Sequence, residues 1–199
     1  MTNQNNQTQY FKNRKNLRLK YYDYSSNGAY FVTICVNNRE CLFGDIIDGQ
    51  MCLNDAGLMI DEIYHDLENK FTNIQCGEYV VMPNHVHCVI HICNDIKSNV
   101  GVNLCVDPKL EKGEHAGTPL NKIIQWFKTM TTNAYINGVK TKNWQPFDKR
   151  LWQRNYYEHI IRNEKSYNEI VKYIQLNSLK WELDELNPKF ENKNAIKDK

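Results

Sequence analysis

The fifteen residues Glu78-Tyr-Val-Val-Met-Pro-Asn-His-Val-His-Cys-Val-Ile-His-Ile92 restrict the fold more than any other stretch of the chain. Two runs rich in β-branched and aromatic side chains flank Met82-Pro83-Asn84, so the segment reads as a hairpin whose second strand opens at His85. Side chains alternate along a strand, which puts His85 and His87 on one face and Val86, Cys88, Ile90 and Ile92 on the other, where they supply a core. Two imidazoles about 6–7 Å apart at their Cβ atoms can lean onto one divalent ion through bonds of about 2.0–2.1 Å, whereas His87 and His91 stand about 13 Å apart and do not share one. A polar residue at every second position is also what any half-exposed strand shows, so the pair needs support from elsewhere in the chain.

That support comes from the last amphipathic segment. Asn163 reads as the N-cap of a helix, with Glu164 in its first turn and Tyr167, Ile170, Val171 and Ile174 at i, i+3, i+4 and i+7. At about 100° per residue, Ser166, Tyr173 and Asn177 fall on one edge of that stripe. A helix lying on the sheet therefore offers the histidine strand a phenol as nucleophile and an amide oxygen as third ligand. Upstream, residues 29–36 read as a first strand, Asp48-Gly49 as a turn, and Asn54 as the cap of a helix over 55–70 with Leu58, Met59, Ile63 and Tyr64 on one side. Pro119 opens a helix carrying Ile123, Ile124, Trp126, Phe127 and Met130 that ends before Asn137-Gly138, and residues 152–161 form a last strand. Strand, helix, strand, strand, helix, strand, helix is the order of an α+β sandwich of ferredoxin-like type, an antiparallel sheet with helices packed on it.

With 199 residues, 41% of them hydrophobic and 24% charged, the chain suits one globular domain. The reading divides it into a basic, flexible arm (1–20), a single domain (21–182) interrupted by a variable loop (94–118), and a polar C-terminal tail (183–199). No apolar run reaches the length of a membrane span and the first residues lack a signal-peptide pattern, which points to a cytoplasmic protein with no membrane partner. Seven cysteines without a C-x-x-C pair argue against a disulfide framework or a zinc ribbon. Net charge is only +2, but it is unevenly spread. The arm carries Lys12, Arg14, Lys15, Arg18 and Lys20 without an acid, and a second basic segment over 140–154 ends at Arg154. Such segments can track a phosphate backbone.

Three stretches carry a resemblance: Val80-Val-Met-Pro-Asn-His-Val-His87, Leu151-Trp-Gln-Arg-Asn-Tyr-Tyr-Glu-His-Ile-Ile-Arg-Asn163 and Tyr173-Ile-Gln-Leu-Asn177. Together they resemble the signatures of the single-tyrosine HUH transposases, and specifically the REP-associated tyrosine transposase (RAYT) group. The resemblance implies the HUH endonuclease fold and a single-stranded DNA endonuclease and strand transferase that cleaves near REP-like hairpins through a covalent 5′-phosphotyrosine. It implies His85, His87 and Asn177 as ligands of Mg²⁺ or Mn²⁺, Tyr173 as nucleophile, and single-stranded or hairpin DNA as partner; the charge pattern makes Lys12, Arg14, Lys15, Arg18, Lys20 and Arg154 the candidate DNA contacts. The family pattern places a proline after that asparagine; here Ser178 stands instead. A monomer is expected ahead of a homodimer. The alternative is a domesticated nucleic-acid-binding protein of the same fold that no longer cuts.

Overall fold

The computed structural model describes residues 23–94 and 118–190. The arm cations Lys12, Arg14, Lys15, Arg18 and Lys20 and nearly all of the 94–118 loop lie outside them. Six strands and three α-helices are described: β1 Gly28–Cys35, β2 Gly44–Ile47, β3 Gln50–Leu53, α1 Asp55–Lys70, β4 Ile74–Met82, β5 His85–Ile92, α2 Leu120–Thr141, β6 Tyr157–Ile161 and α3 Glu164–Gln175. A 3-10 segment, Ser178–Leu183, follows α3.

The main sheet has the order β4-β5-β1-β6 with every neighbouring pair antiparallel. With the separate β2–β3 hairpin set aside, β1-α1-β4-β5-α2-β6 is the βαββαβ order and pairing of a ferredoxin-like sandwich, as expected from the periodicities. The β2–β3 hairpin itself was legible only as the turn Asp48-Gly49. Both turn residues take positive φ, 51° and 76°, the conformation a tight two-residue hairpin demands.

The two faces of the sheet differ sharply. One carries Tyr30, Val32, Ile34, Val86, Cys88, Ile90 and Ile92 against Ile60, Tyr64 and Leu67 of α1 and Ile123, Ile124 and Phe127 of α2, part of a cluster of 23 buried hydrophobic residues. On the other the buried hydrophobic cluster is small, Ala29, Phe31, Val89, Ile161 and Ile174 with Tyr167 and Ile170 of α3 packed alongside, and Thr33, His85 and His87 are buried beside it. Each fully buried large aliphatic or aromatic side chain contributes about 1.5–3 kcal/mol, so the α1/α2 face carries most of the stability. The α3 face is left free to hold polar groups.

Helix ends follow their capping residues where these exist. Asn54 accepts from the Gly57 amide at 2.9 Å and Asn163 from the Ser166 amide at 2.8 Å, starting α1 and α3 where the sequence places them. The expected end of α2 before Asn137-Gly138 does not occur, and the helix runs on to Thr141. Gly138 serves packing rather than termination: a Cβ there would stand 2.2 Å from the Trp144 ring. The last strand is also shorter than residues 152–161. Trp152 bridges only to Val36, its ring is buried with Nε1 donating to Thr131 Oγ1 at 2.9 Å, and Lys128 Nζ takes the carbonyls of Gln153 and Arg154. These bonds divert the backbone from the sheet until Tyr157.

Candidate active site

β5 opens directly after Asn84, which is 1% exposed. The Asn84 amide nitrogen donates to Arg39 O at 2.9 Å and to Leu186 O at 2.8 Å, so its Oδ1 faces His85 Nδ1, 2.8 Å away, as an acceptor. His85 therefore carries its proton on Nδ1, and its Nε2 presents a lone pair. Cross-strand pairing sets His87 opposite Thr33, whose Oγ1 is 2.8 Å from His87 Nδ1. A hydroxyl donates or accepts as required, so Thr33 accommodates either tautomer of His87. Phe31 stacks on the His87 ring with centroids 5.4 Å apart.

The two Nε2 atoms are 3.0 Å apart. Two ligand atoms at right angles around an ion with bonds of about 2.0–2.1 Å are about 2.8–3.0 Å apart, so the pair fits neighbouring positions around an octahedral divalent cation. Beside them is Asn177, 3% exposed, whose carboxamide interacts with His85 and Tyr173 while its Oδ1 has no hydrogen-bond partner among the described residues. A buried, unsatisfied oxygen costs free energy unless a cation or a donor meets it. Asp184 adds a carboxylate whose Oδ2 is 4.0 Å from His85 Nε2. His85, His87 and Asp184 offer ligand atoms all within 4.8 Å of one another. The donor set of two imidazoles, an amide oxygen and a carboxylate fits a divalent cation.

The Tyr173 hydroxyl lies 3.2 Å from His87 Nε2, and its ring meets Phe31 edge to face at 6.0 Å. Tyr173 is 43% exposed, so the phenol stands at the mouth of the site and not in the core. Burial, then the charge of Asp184, raises its pKa, while a bond from Asn177 works the other way. Burial pushes His87 down to about 3, and burial followed by the neighbouring His87 pushes His85 well below its ordinary range. Both rings are thus neutral near pH 7, the form that ligates metals.

Both histidines are deeply buried, at 0% and 2% exposure, although their face of the sheet was expected to look out of the core. Trp181 covers His85 with ring centroids 6.0 Å apart, and α3 covers His87. The segment after residue 182, read from sequence as the start of a polar tail, takes part in this cover through residues 184–187. Arg39 Nη1 donates to Glu185 O at 2.9 Å, and the buried Asn187 donates to Trp181 O at 2.9 Å. Departure from the family pattern at Ser178 leaves Asn177 in place, because the backbone continues into the 3-10 segment. His91 packs against Tyr167 at 5.7 Å, apart from the His85–His87 pair, as the strand spacing requires. Arg154 is exposed ahead of β6 and is not brought to the His–Tyr cluster.

Thr33, Asn84 and Asp184 were not singled out from sequence. Asn84 stood beside the histidines but read as a turn residue, Thr33 becomes visible only once β1 is paired with β5, and nothing local marks Asp184.

A curated protein of Haemophilus influenzae, uncharacterized, is 42% identical over 175 residues, covering 87% of this chain and 92% of that protein. The two belong to one family. No protein-family model matches the chain. Among solved structures, a REP-associated tyrosine transposase bound to a REP hairpin superposes with a TM-score of 0.52 at 20% identity, over 82% of this chain and 72% of that one. The fold of this family is that of the REP-associated tyrosine transposase, in agreement with the resemblance carried by the three sequence stretches. Among the described residues no helix is long and apolar enough to cross a membrane.

Proposed function

We propose that the protein is a RAYT-type single-stranded DNA endonuclease and strand transferase with Tyr173 as its nucleophile. The observation that carries this reading is the meeting of a tyrosine hydroxyl, 3.2 Å from His87 Nε2, with two imidazole nitrogens 3.0 Å apart and a buried amide oxygen that lacks a partner. A structural cluster of buried histidines needs neither a half-exposed tyrosine nor an orphaned acceptor.

His85 Nε2, His87 Nε2 and Asn177 Oδ1 would hold Mg²⁺ or Mn²⁺, with the Asp184 carboxylate beside them. Such an ion polarises the phosphodiester and neutralises the charge that develops on its oxygens. Asn84 sets the His85 tautomer that leaves a lone pair on Nε2, and Thr33 holds the His87 ring through Nδ1, so that His87 Nε2 can be presented to the same ion. Tyr173 keeps its proton at neutral pH, and sheds it as its oxygen attacks phosphorus; the exposed side of the ring leaves solvent in reach to receive it. The new bond joins the tyrosine oxygen to phosphorus, and the bond that breaks releases a DNA 3′-OH. Because the phosphotyrosine is itself a phosphodiester, a 3′-OH can reverse the attack and rejoin strands without another energy source. Phe31 supports both rings of this chemistry, stacked on His87 and edge-on to Tyr173.

Incubation with a labelled DNA hairpin bearing a single-stranded flank tests the reading. Cleavage of the flank that requires Mn²⁺ or Mg²⁺ and stops on chelation is the expected result. Cleavage undiminished in EDTA, or binding of hairpins without cleavage in either metal, would contradict it, and the latter would indicate the silent DNA-binding alternative.

A further inference from the structure

We propose that the groove between α2 and residues 147–156 seats the phosphate backbone of the DNA strand that continues into the catalytic site, an inference that rests on the nuclease reading above. The groove is an open concavity of about 500 Å³. Lys128, Lys149, Arg150 and Arg154 line it and no carboxylate does. The imbalance extends to the whole region: residues 118–157 hold seven Lys and Arg against the single acid Asp148, in a chain whose net charge is only +2.

A merely solvated basic surface would leave its lysines in water. Lys128 is instead half-buried, with Nζ donating to Gln153 O at 2.6 Å and to Arg154 O at 3.2 Å. Burial, then the nearby Arg150, lowers its pKa to about 8. Lys149 meets Asp148 at 3.8 Å on open surface, while Lys128, Arg150 and Arg154 have no carboxylate within ion-pair range among the described residues. Positive charge is concentrated there, which suits a polyanion.

The shape selects a chain of phosphates over a single anion. On the α2 wall, Asn121, Gln125, Thr129 and Asn133 recur every fourth residue and form one neutral hydrogen-bonding stripe. That stripe is about 18 Å long, the axial length of about five nucleotides of one strand in a duplex. Lys149, Arg150 and Arg154 belong to the opposite wall, and Lys128 reaches across from α2 to the carbonyls of Gln153 and Arg154. From Arg154 the chain leads into β6, where Tyr157 pairs with Thr33 and is 52% exposed. The Tyr157 ring meets Phe31 at 6.3 Å, and Phe31 meets Tyr173 at 6.0 Å. A strand leaving the groove at Arg154 thus passes an aromatic surface suited to a base before it reaches the nucleophile.

The test is a fluorescence-anisotropy titration of the full chain, in EDTA, with a fluorescein-labelled DNA hairpin carrying a ten-nucleotide single-stranded flank. Combined Lys149→Ala, Arg150→Ala and Arg154→Ala changes, all at exposed positions, should raise Kd at least tenfold. They should also reduce the slope of log K against log salt by about 2–3, the share of three phosphate contacts. Lys70→Ala, Lys165→Ala and Lys189→Ala together remove equal charge outside the groove and should do much less. Arg150→Glu alone gives an independent reading and should weaken binding more than Arg150→Ala. If the wild type binds the hairpin and the groove variants match it in affinity and salt slope, or lose no more than the control triple, the groove is not the seat and the nuclease reading stands. If the wild type itself does not bind, both fail.

Discussion

Acidification should destabilise the metal-free protein through its two site histidines, and His87 permits a worked magnitude. Burial lowers its pKa from 6.5 to about 3 in the folded state. Between those values the unfolded chain binds a proton that the folded chain excludes, so stability rises with pH by about 1.4 kcal/mol per unit for this one group. Its contribution is fully present above pH 6.5 and is lost as pH falls toward 3. From pH 7 to pH 5 the loss from His87 is about 2 kcal/mol, a large part of the stability of an ordinary domain. His85, also lowered by burial and by its neighbour, adds in the same direction. Asp184, whose pKa burial raises, opposes them by taking up a proton in the folded state. Urea unfolding in EDTA at pH 7, 6 and 5 should show this fall in the wild type. His87→Gln removes the titration, so the variant should lose about 2 kcal/mol less over the same range, whatever its stability at pH 7. Parallel profiles for the two proteins would refute the reasoning.

His85→Ala should lower stability by about 2–4 kcal/mol, read as a fall in Tm, because it opens a cavity at a fully buried position and strands Asn84 Oδ1; a near-neutral change would mean the site's cover is loose. Mn²⁺ binding by calorimetry should weaken at least tenfold in Asn177→Ala and to a smaller extent in Asp184→Asn, since the first removes the orphaned oxygen and the second the adjacent charge; unchanged affinity in both would exclude them from the cation site. Deleting residues 1–20 removes Lys12, Arg14, Lys15, Arg18 and Lys20 and should weaken hairpin binding and flatten its salt dependence without altering metal binding, whereas an unchanged salt slope would show that the arm does not meet DNA.

The parts of this molecule that are legible in its sequence are those whose causes are local. Asn54 and Asn163 cap their helices through bonds spanning three residues, and the alternation along β5 assigns His85 and His87 to one face from spacing alone. The Tyr173–Asn177 edge of α3 is equally local, a consequence of helical pitch. What escapes is non-local. Whether the histidine face is open or covered depends on Trp181 and on residues 184–187 folding back, and the bond from Asn84 to Leu186 spans about a hundred residues. Asp184 reaches the site by the same return and carries no periodicity to announce it. Gly138 looks like a helix stop because glycine ordinarily is one, and only the Trp144 ring against its Cα shows the other use. Lys128, inside an amphipathic helix, gives no sign from sequence that its amine is held by the carbonyls of residues 153 and 154.

Covalent trapping tests the central claim most directly. Protein incubated with a labelled single-stranded hairpin substrate and Mn²⁺ should yield a protein–DNA species that survives denaturing electrophoresis, and peptide mapping should place the phosphate on Tyr173. Tyr173→Phe removes one oxygen at a half-exposed helix edge, so fold, metal binding and hairpin binding should persist while the adduct disappears. Tyr167→Phe, on the same helix but packed against His91, should keep it. An adduct that persists in Tyr173→Phe, or that maps to another tyrosine in the wild type, would contradict the account.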